Sequence, residues 1–375
     1  MSKSFSPERY QRQLILDKFG MAAQQKLSES RVLVIGAGGL GCPVLSYLVA
    51  AGVGNIGIVD DDVIAIHNLH RQPLYDTKDV GKLKALTARE HLLDLNPSVH
   101  IEAITSRLDE SNALSLFARF DIIVDGSDNF ATRYLVNDAA VLTGKPFVYG
   151  AVTQYEGQLA VFNVTSGQEV QGIHYRDLFP EPPAPGKILN CAEAGVIGVL
   201  PGIIGIMMAA EVIKFISGVG KMLTGKLLTL NILTNQWLEL ELVSSEKTRS
   251  LIPKDAESFA RMRYEDLCNG NSYGISVNEL KKMLADESIL IVDVREVDEV
   301  PEMEDLKTLR IPMSIFKEKM SGIPVGKVAF ICQSGIRSRR AAEMLADARH
   351  SGEGIFSVNG GVVKWMDSQN KAAHV

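Results

Sequence analysis

The 375-residue sequence predicts an α/β protein: a doubly wound, mostly parallel sheet with an antiparallel extension, then a second and smaller α/β domain. Three observations carry this. Apolar runs alternate with helical stretches from Arg31 to Tyr149, the order that winds helices onto both faces of a parallel sheet. After Gly150 the apolar residues alternate singly, as in antiparallel strands. From Ile275 a fresh strand–helix alternation follows a polar stretch, and no internal repeat connects the halves.

The elements follow in order. Pro7 to Gly20 reads as an amphipathic helix with Leu14, Ile15 and Phe19 on its apolar side; Arg9 and Arg12 read, from this segment alone, as a solvated face. Val32 to Ile35 is a buried strand, Cys42 to Ala51 a helix and Asn55 to Val59 the next strand. A loop from Asp62 to Asp79 precedes a helix from Lys82 to Leu95, which stops at Asn96-Pro97 because the residue before proline disfavours the α conformation. His100–Thr105 is a strand, Glu110–Ala118 a helix and Asp121–Val124 a strand. A helix to Gly144 and the strand Pro146–Tyr149 complete the parallel part. Gly157–Val164 and Lys226–Val243 alternate as antiparallel strands, and between them Thr165–Asn190, rich in Gly and Pro, reads as a mobile loop over the crevice. Ala194–Ala210 is uncharged but interrupted by Pro201 and four glycines and short for about 30 Å of hydrocarbon, so it reads as a buried helix pair, possible subunit interface, with no membrane role. Residues 246–272 read as a linker between domains 1–245 and 273–375. The second domain has a helix at Val277–Leu284, strands at Ile289–Val292 and Lys327–Ile331, and a helix at Ser338–Ala346.

Composition excludes several classes. A hydrophobic fraction of 46% with 22% charged residues is that of a globular protein, and a net charge of −6 argues against a nucleic-acid surface. Cys42, Cys191, Cys268 and Cys332 form no C-x-x-C pair, which reads as a reduced, cytoplasmic protein with one or two working thiols. The N-terminal segment lacks the apolar core of a signal peptide.

Gly36, Gly38 and Gly41 fit G-x-G-x-x-G between a strand and a helix, with Gly39 inside the turn and the acids Asp60 and Asp62 after the next strand. This is a Rossmann-like nucleotide unit, in which glycines let a backbone approach phosphate at a helix N-terminus. Ligands of such sheets sit outside the carboxyl ends of the strands, so the glycine turn, Asp60 and Asp128 share one crevice. A dehydrogenase has no need of Arg71 and Lys84; an ATP-cleaving enzyme does, to neutralise phosphate oxygens as pyrophosphate leaves, with Asp128 holding Mg²⁺. Singly, Asp128 also reads as a helix N-cap and Lys84 as a solvated helix residue. Cys332-Gln333-Ser334-Gly335-Ile336-Arg337 follows a buried strand and precedes a helix, which turns backbone N–H groups towards the sulfur and suits a bound anion or persulfide. A Cys-specific phosphatase uses a similar loop. Cys191 reads equally as a nucleophile or a small buried residue.

Over about the first 245 positions the chain closely resembles the MoeB/ThiF/HesA family of sulfur-carrier adenylyltransferases, relatives of the ubiquitin-activating enzymes. The matching segments are Arg9-Tyr-Gln-Arg-Gln13, Gly36-Ala-Gly-Gly-Leu-Gly-Cys42, Asp60-x-Asp62, Asn68-Leu-His-Arg-Gln72, Gly81-Lys-Leu-Lys84, Asp125-Gly-Ser-Asp-Asn129, Glu156-Gly-Gln158 and Asn190-Cys-Ala-Glu-Ala-Gly195. Residues 275–370 resemble a rhodanese domain, through Asp293-Val-Arg-Glu296, the six-residue Cys332 loop and Asn359-Gly-Gly361 with Trp365. A loop of that length is the rhodanese one, not the longer phosphatase one.

The resemblance implies that a small β-grasp sulfur-carrier protein ending in Gly-Gly is adenylated on its C-terminal carboxylate, with ATP and Mg²⁺ bound in the crevice. By this match Asp60 holds the ribose, Asn68, Arg71 and Lys84 the phosphates, and Asp128, beside Asn129, the magnesium. Arg12 would reach the phosphates of the neighbouring subunit, making a homodimer and overturning the reading of a solvated face. A persulfide on Cys332, loaded by a donor such as a cysteine desulfurase, would attack the adenylate, and Cys191 would release a thiocarboxylate, in molybdopterin, thiamine or a related sulfur pathway. Many family members hold zinc through two C-x-x-C pairs; here His174-Tyr-Arg-Asp177 stands at the first pair and no C-x-x-C follows Leu242, so structural zinc is not expected. The rhodanese part lacks the usual His-Ile-Pro-Gly-Ala segment after Asp293. The rival readings are activation of a ubiquitin-like protein through a thioester on Cys191, with a regulatory rhodanese part, and a non-catalytic module that docks carrier proteins.

Overall fold

A computed structural model describes residues 6–164, 172–183, 194–269, 273–285, 289–303 and 306–372. The chain divides into two compact units, Met1–Cys268 and Asn269–Val375.

In the first unit the strands are β1 (Arg31–Ile35), β2 (Asn55–Val59), β3 (His100–Ile104), β4 (Ile122–Asp125), β5 (Phe147–Thr153), β6 (Glu156–Phe162), β7 (Lys226–Asn231) and β8 (Gln236–Glu241). They form one eight-stranded sheet in the order β3-β2-β1-β4-β5-β6-β7-β8, parallel as far as β5 and antiparallel beyond it. β1 lies central and buried, so it is apolar on both faces. Val32 and Val34 join one core layer with Leu45 and Leu48 of the helix Gly41–Ala51 and Ile204 and Met208 of the helix Val199–Ser217. Leu33 and Ile35 join the opposite layer with Phe117 and with Tyr134 and Leu135 of the helix Phe130–Thr143. Successive residues pointing to opposite faces thus fill both layers from one strand.

The second unit is a five-stranded parallel sheet: β9 (Gly274–Ile275), β10 (Ile289–Asp293), β11 (Thr308–Arg310), β12 (Lys327–Ile331) and β13 (Ile355–Val358), in the order β11-β10-β12-β13-β9. Its longer helices are Val277–Ala285, Ile336–Arg349 and Gly361–Ala372.

Five elements differ from the sequence reading. The helix expected over Pro7–Gly20 is reduced to Gln11–Leu14, and a second helix runs from Gly20 to Glu29. Lys18 (φ 65°) and Gly20 (φ 57°) occupy the left-handed region and break the run; Phe19 is buried, whereas Ile15 is 68% exposed. Lys226–Val243 is a hairpin, turned near Asn235 (φ 53°). Of the stretch Ala194–Ala210, expected as a helix pair, the part from Val199 belongs to the helix Val199–Ser217, which tolerates Pro201 because it sits in the first turn, where a missing N–H costs nothing; residues 184–193 before it lie outside the described residues. Of the expected loop over Thr165–Asn190, residues 172–183 are described and include the helix Tyr175–Leu178; the rest lies outside the described residues.

The stretch 246–272, expected as a linker, contributes three short helices, Glu246–Arg249, Ala256–Ala260 and Tyr264–Asn269, and belongs to the first unit as far as Cys268. Phe259 and Tyr264 are buried in its core. The Tyr264 hydroxyl donates to Asp138 Oδ2 at 2.8 Å, and Arg176 grips the same carboxylate with Nε at 2.8 Å and Nη2 at 2.7 Å. Polarity hid this because the two buried aromatics are spaced among surface charges.

At the position of the family's first zinc-ligand pair, His174 is fully buried, its ring Nε2 3.5 Å from Asp177 Oδ2, which also accepts the His174 backbone N–H at 3.0 Å. Burial pushes this imidazole below its ordinary range, against the pull of Asp177.

Two outcomes follow. Phe259→Ala should cost the first unit about 3–5 kcal/mol in urea unfolding; a change below about 0.5 kcal/mol would mean that the segment is a linker after all. A buried neutral His174 means that the unfolded chain takes up a proton the folded one resists, so stability falls as pH drops below about 6.5, the unfolded value. His174→Gln should flatten the melting temperature between pH 7 and pH 5, and an unchanged slope would remove this histidine from the acid response.

Candidate active site

The glycine turn is built by two close approaches. Gly36 has φ 88°, and a Cβ there would press to 3.0 Å from the Gly126 carbonyl of the neighbouring loop. A Cβ at Gly41 would lie 1.9 Å from the Gly36 carbonyl oxygen, so no other residue lets the helix start this close to the strand. Between them the Ala37 peptide is held from both sides: its N–H donates to Asp60 Oδ2 at 2.7 Å, and its carbonyl accepts the Tyr75 hydroxyl at 2.8 Å. Asp60 Oδ1 accepts the Asp62 N–H at 2.9 Å. Partial burial raises the Asp60 carboxyl, against the nearby Lys84 ammonium.

The turn opens onto a cleft of about 440 Å³ at the carboxyl ends of β1, β2 and β4. Gly36, Gly38, Gly39, Asp60, Asp62, Asn68, Arg71, Lys84, Asp128 and Asn129 all line it. Gly41 stands behind the turn. Arg12 is exposed on the short helix Gln11–Leu14 and does not line the cleft; Cys191 lies outside the described residues.

Lys84 is not a solvated helix residue. Its side chain is 7% exposed, its Nζ lies 2.9 Å from Asp62 Oδ2, and it opens the helix Lys84–Leu95. Arg71 donates from Nη1 to the His67 carbonyl at 3.0 Å. Asn68 is buried, and its Oδ1 accepts the Ala65 N–H at 3.0 Å. Asn129, not Asp128, caps the helix Phe130–Thr143, accepting the Thr132 N–H at 2.9 Å. Asp128 is thereby released from capping and stands exposed at the cleft wall. The loop that presents it is shaped by Asp125, whose Oδ1 accepts the Ser127 N–H (3.0 Å) and hydroxyl (2.6 Å); burial raises that carboxyl. An exposed carboxylate free of capping duty, in a cleft that also holds Arg71 and Lys84, fits a magnesium ion that takes its other ligands from phosphate and water.

Sequence reasoning missed Gln72, Arg107 and Arg133 as cleft residues. Gln72 is buried with its Oε1 unpartnered, although it ends the quoted Asn68–Gln72 segment. Arg133 lies 5.6 Å over the Tyr149 ring, one turn along the helix that Asn129 caps, a spacing that helical geometry alone would have brought back to the loop. Cys42, beside the turn, is fully buried and its thiol is pushed up to about 12, which makes it a packing residue.

In the second unit Cys332 follows β12, and its Sγ accepts the Gly335 N–H at 3.2 Å and lies 3.6 Å from the Ser338 hydroxyl. Gly335 (φ 96°) turns the loop into the helix Ile336–Arg349. Asn359-Gly-Gly361 packs on the loop: the Val362 N–H donates to the Cys332 carbonyl at 2.8 Å and the Val363 N–H to the Gln333 carbonyl at 3.2 Å. Ser334 lies in the loop, Ile336 and Arg337 form the first turn of that helix, and Arg337 pairs with Glu299.

Residues 10–251 match the ThiF family model and residues 276–368 the rhodanese-like domain model. The chain is 40% identical to a probable adenylyltransferase/sulfurtransferase, MoeZ, of Mycobacterium tuberculosis, over 95% of this chain and 92% of that protein. It is 36% identical to an adenylyltransferase and sulfurtransferase of Xenopus laevis (96% and 86% covered). Its first part is 55% identical to a sulfur carrier protein adenylyltransferase of Thermus thermophilus (59% and 82% covered). Crystal structures of E. coli MccB share the fold, with a TM-score of 0.56, 22% identity, and 65% of this chain and 74% of that one covered. The chain therefore belongs to the ThiF family, in the form that carries a C-terminal rhodanese-like domain.

Proposed function

We propose that the chain activates the C-terminal Gly-Gly carboxylate of a small β-grasp sulfur-carrier protein with ATP and then supplies the sulfur that converts it to a thiocarboxylate. The observation that carries the first half is the cleft, where a glycine turn meets Arg71, Lys84 and an uncapped Asp128. Those charges suit a triphosphate being split and have no task in hydride transfer.

In this reading the carrier carboxylate attacks the α-phosphorus, the bond to the bridging oxygen breaks, and pyrophosphate leaves with the electron pair. Asp60 takes the ribose hydroxyls with the lone pairs that its two backbone bonds leave free. Arg71 and Lys84 take the charge that develops on the departing phosphates, and Lys84 is held ready by Asp62. Asp128 holds magnesium, which when bound neutralises phosphate charge. Arg12, exposed in one copy, reaches the phosphates of a second in a homodimer.

Cys332 carries the second half. Its persulfide sulfur attacks the acyl carbon, AMP leaves, and the carrier is joined to the loop as an acyl disulfide. The thiolate of Cys191 then attacks the Cys332 sulfur, releasing the thiocarboxylate and leaving a Cys191–Cys332 disulfide for cellular thiols to reduce. A cysteine desulfurase supplies the persulfide, and both thiols suit the cytoplasm. Molybdopterin formation is the favoured pathway, since a relative 36% identical to this chain, from Porphyra purpurea, is a probable molybdopterin-synthase adenylyltransferase; thiamine formation is the second.

Asp128→Ala and Arg71→Ala should each lower ATP–pyrophosphate exchange by roughly 100-fold or more, and exchange should require a Gly-Gly-tailed carrier. Exchange that stays at the wild-type rate in both variants would remove them from the site. Cys332→Ala should keep exchange while thiocarboxylate, read as a mass gain on the carrier, disappears; sulfur transfer that survives would exclude the persulfide role.

A further inference from the structure

The following rests on the reading of Cys332 as the sulfur-carrying nucleophile. Arg337 ends the Cys332 loop and is its one cation. It is not free to meet a ligand, because both terminal nitrogens are taken by Glu299: Nη2 lies 2.6 Å from Oε2, and Nη1 bonds Oε1. Glu299 is fixed in turn, since its Oε1 accepts the Glu296 N–H at 2.8 Å. The carboxyl of Glu299 is drawn down to about 2, chiefly by the Arg337 hydrogen bonds, so it stays ionised at any working pH.

Two neighbouring arginines and Glu296 are engaged as well. Arg295 is buried against Asp293, with Nη2 2.8 Å from Oδ2. Arg310 donates to the backbone carbonyls of Glu296 and Glu299. The Glu296 carboxylate accepts the Ser314 N–H at 3.1 Å and hydroxyl at 2.8 Å. What faces the thiol is therefore the Gly335 N–H and the Ser338 hydroxyl, while Arg295, Arg310 and Arg337 are each engaged elsewhere and do not reach out to a small dianion.

We propose that Glu299 is a specificity-determining residue for loading Cys332: by occupying Arg337 it disfavours small dianionic sulfur donors such as thiosulfate. Loading by thiosulfate would run as attack of the Cys332 thiolate on the outer sulfur, the sulfur–sulfur bond breaking and sulfite leaving with the electron pair. Loading from a protonated persulfide breaks its sulfur–sulfur bond in the same way, releases the donor as a thiolate and leaves the proton on the transferred sulfur. Only the first brings a dianion to the loop, so only it meets the Glu299 charge in full.

The test uses the full-length protein, with the Cys332 peptide followed by mass spectrometry. Iodoacetate and iodoacetamide are similar in size and differ by one charge, so their rate ratio at Cys332 reads the local potential apart from thiol acidity and access. Glu299→Gln should raise that ratio about threefold at low ionic strength, and raise thiosulfate loading of Cys332 by roughly tenfold, with both gains shrinking in 0.5 M salt. Glu299→Asp, which keeps the charge, should stay close to wild type. A ratio unchanged in Glu299→Gln, or both reagents accelerated alike in the two variants with a lowered melting temperature, would make Glu299 merely structural and overturn the proposal. Wild-type Cys332 that reacts with neither reagent nor thiosulfate would overturn the nucleophile reading beneath it.

Discussion

The first unit depends on a backbone crossing. The peptide at Gly36 and the first residue of the following helix, Gly41, come so close that a single methyl group would lie 1.9 Å from a carbonyl oxygen. Everything that makes the cleft hangs from that contact. It lets the helix N-terminus stand at the strand end, brings the Ala37 N–H onto Asp60, and leaves the Ala37 carbonyl to Tyr75. Asp60 is thus a building element before it is a ligand group. Its carboxylate fixes the turn with one oxygen and the start of the next loop with the other, so the site is formed before any nucleotide arrives.

The parts that were legible in the sequence share one property: their surroundings repeat along the chain. β1, β2 and β12 lie between two apolar layers or among buried neighbours, and their unbroken apolar runs say so. The cleft residues at strand ends followed from the wound topology, which is why Gly36, Asp60 and Asp128 were found together. What stayed hidden depends on single backbone angles or distant partners. Lys18 and Gly20 break an otherwise helical pattern by turning left-handed. Residues 246–268 look solvated until Tyr264 meets Asp138, more than a hundred positions earlier. The choice between Asp128 and Asn129 as helix cap is likewise a matter of one hydrogen bond.

Two thiols in comparable local settings have opposite fates. Cys42 and Cys332 each follow a buried strand and stand near the start of a helix. Cys42 is sealed in apolar packing beside the Ala37 carbonyl, an acceptor, and its proton is held tightly. Cys332 receives an N–H from Gly335, a donor aimed at the sulfur, in a loop whose φ at Gly335 only glycine tolerates with ease. The position in the fold is alike. The nearest backbone group is not: an acceptor at Cys42, a donor at Cys332.

The buried Asp138 carboxylate, held by Arg176 from one side and Tyr264 from the other, places the seam between the two units later than composition suggests. A recombination event that joined or removed the second unit before Tyr264 would strip a hydroxyl from a desolvated charge, and one before Phe259 would also open the core around that ring. A tolerated junction therefore lies after that tyrosine. Modularity here is set by where a buried charge finds its last partner.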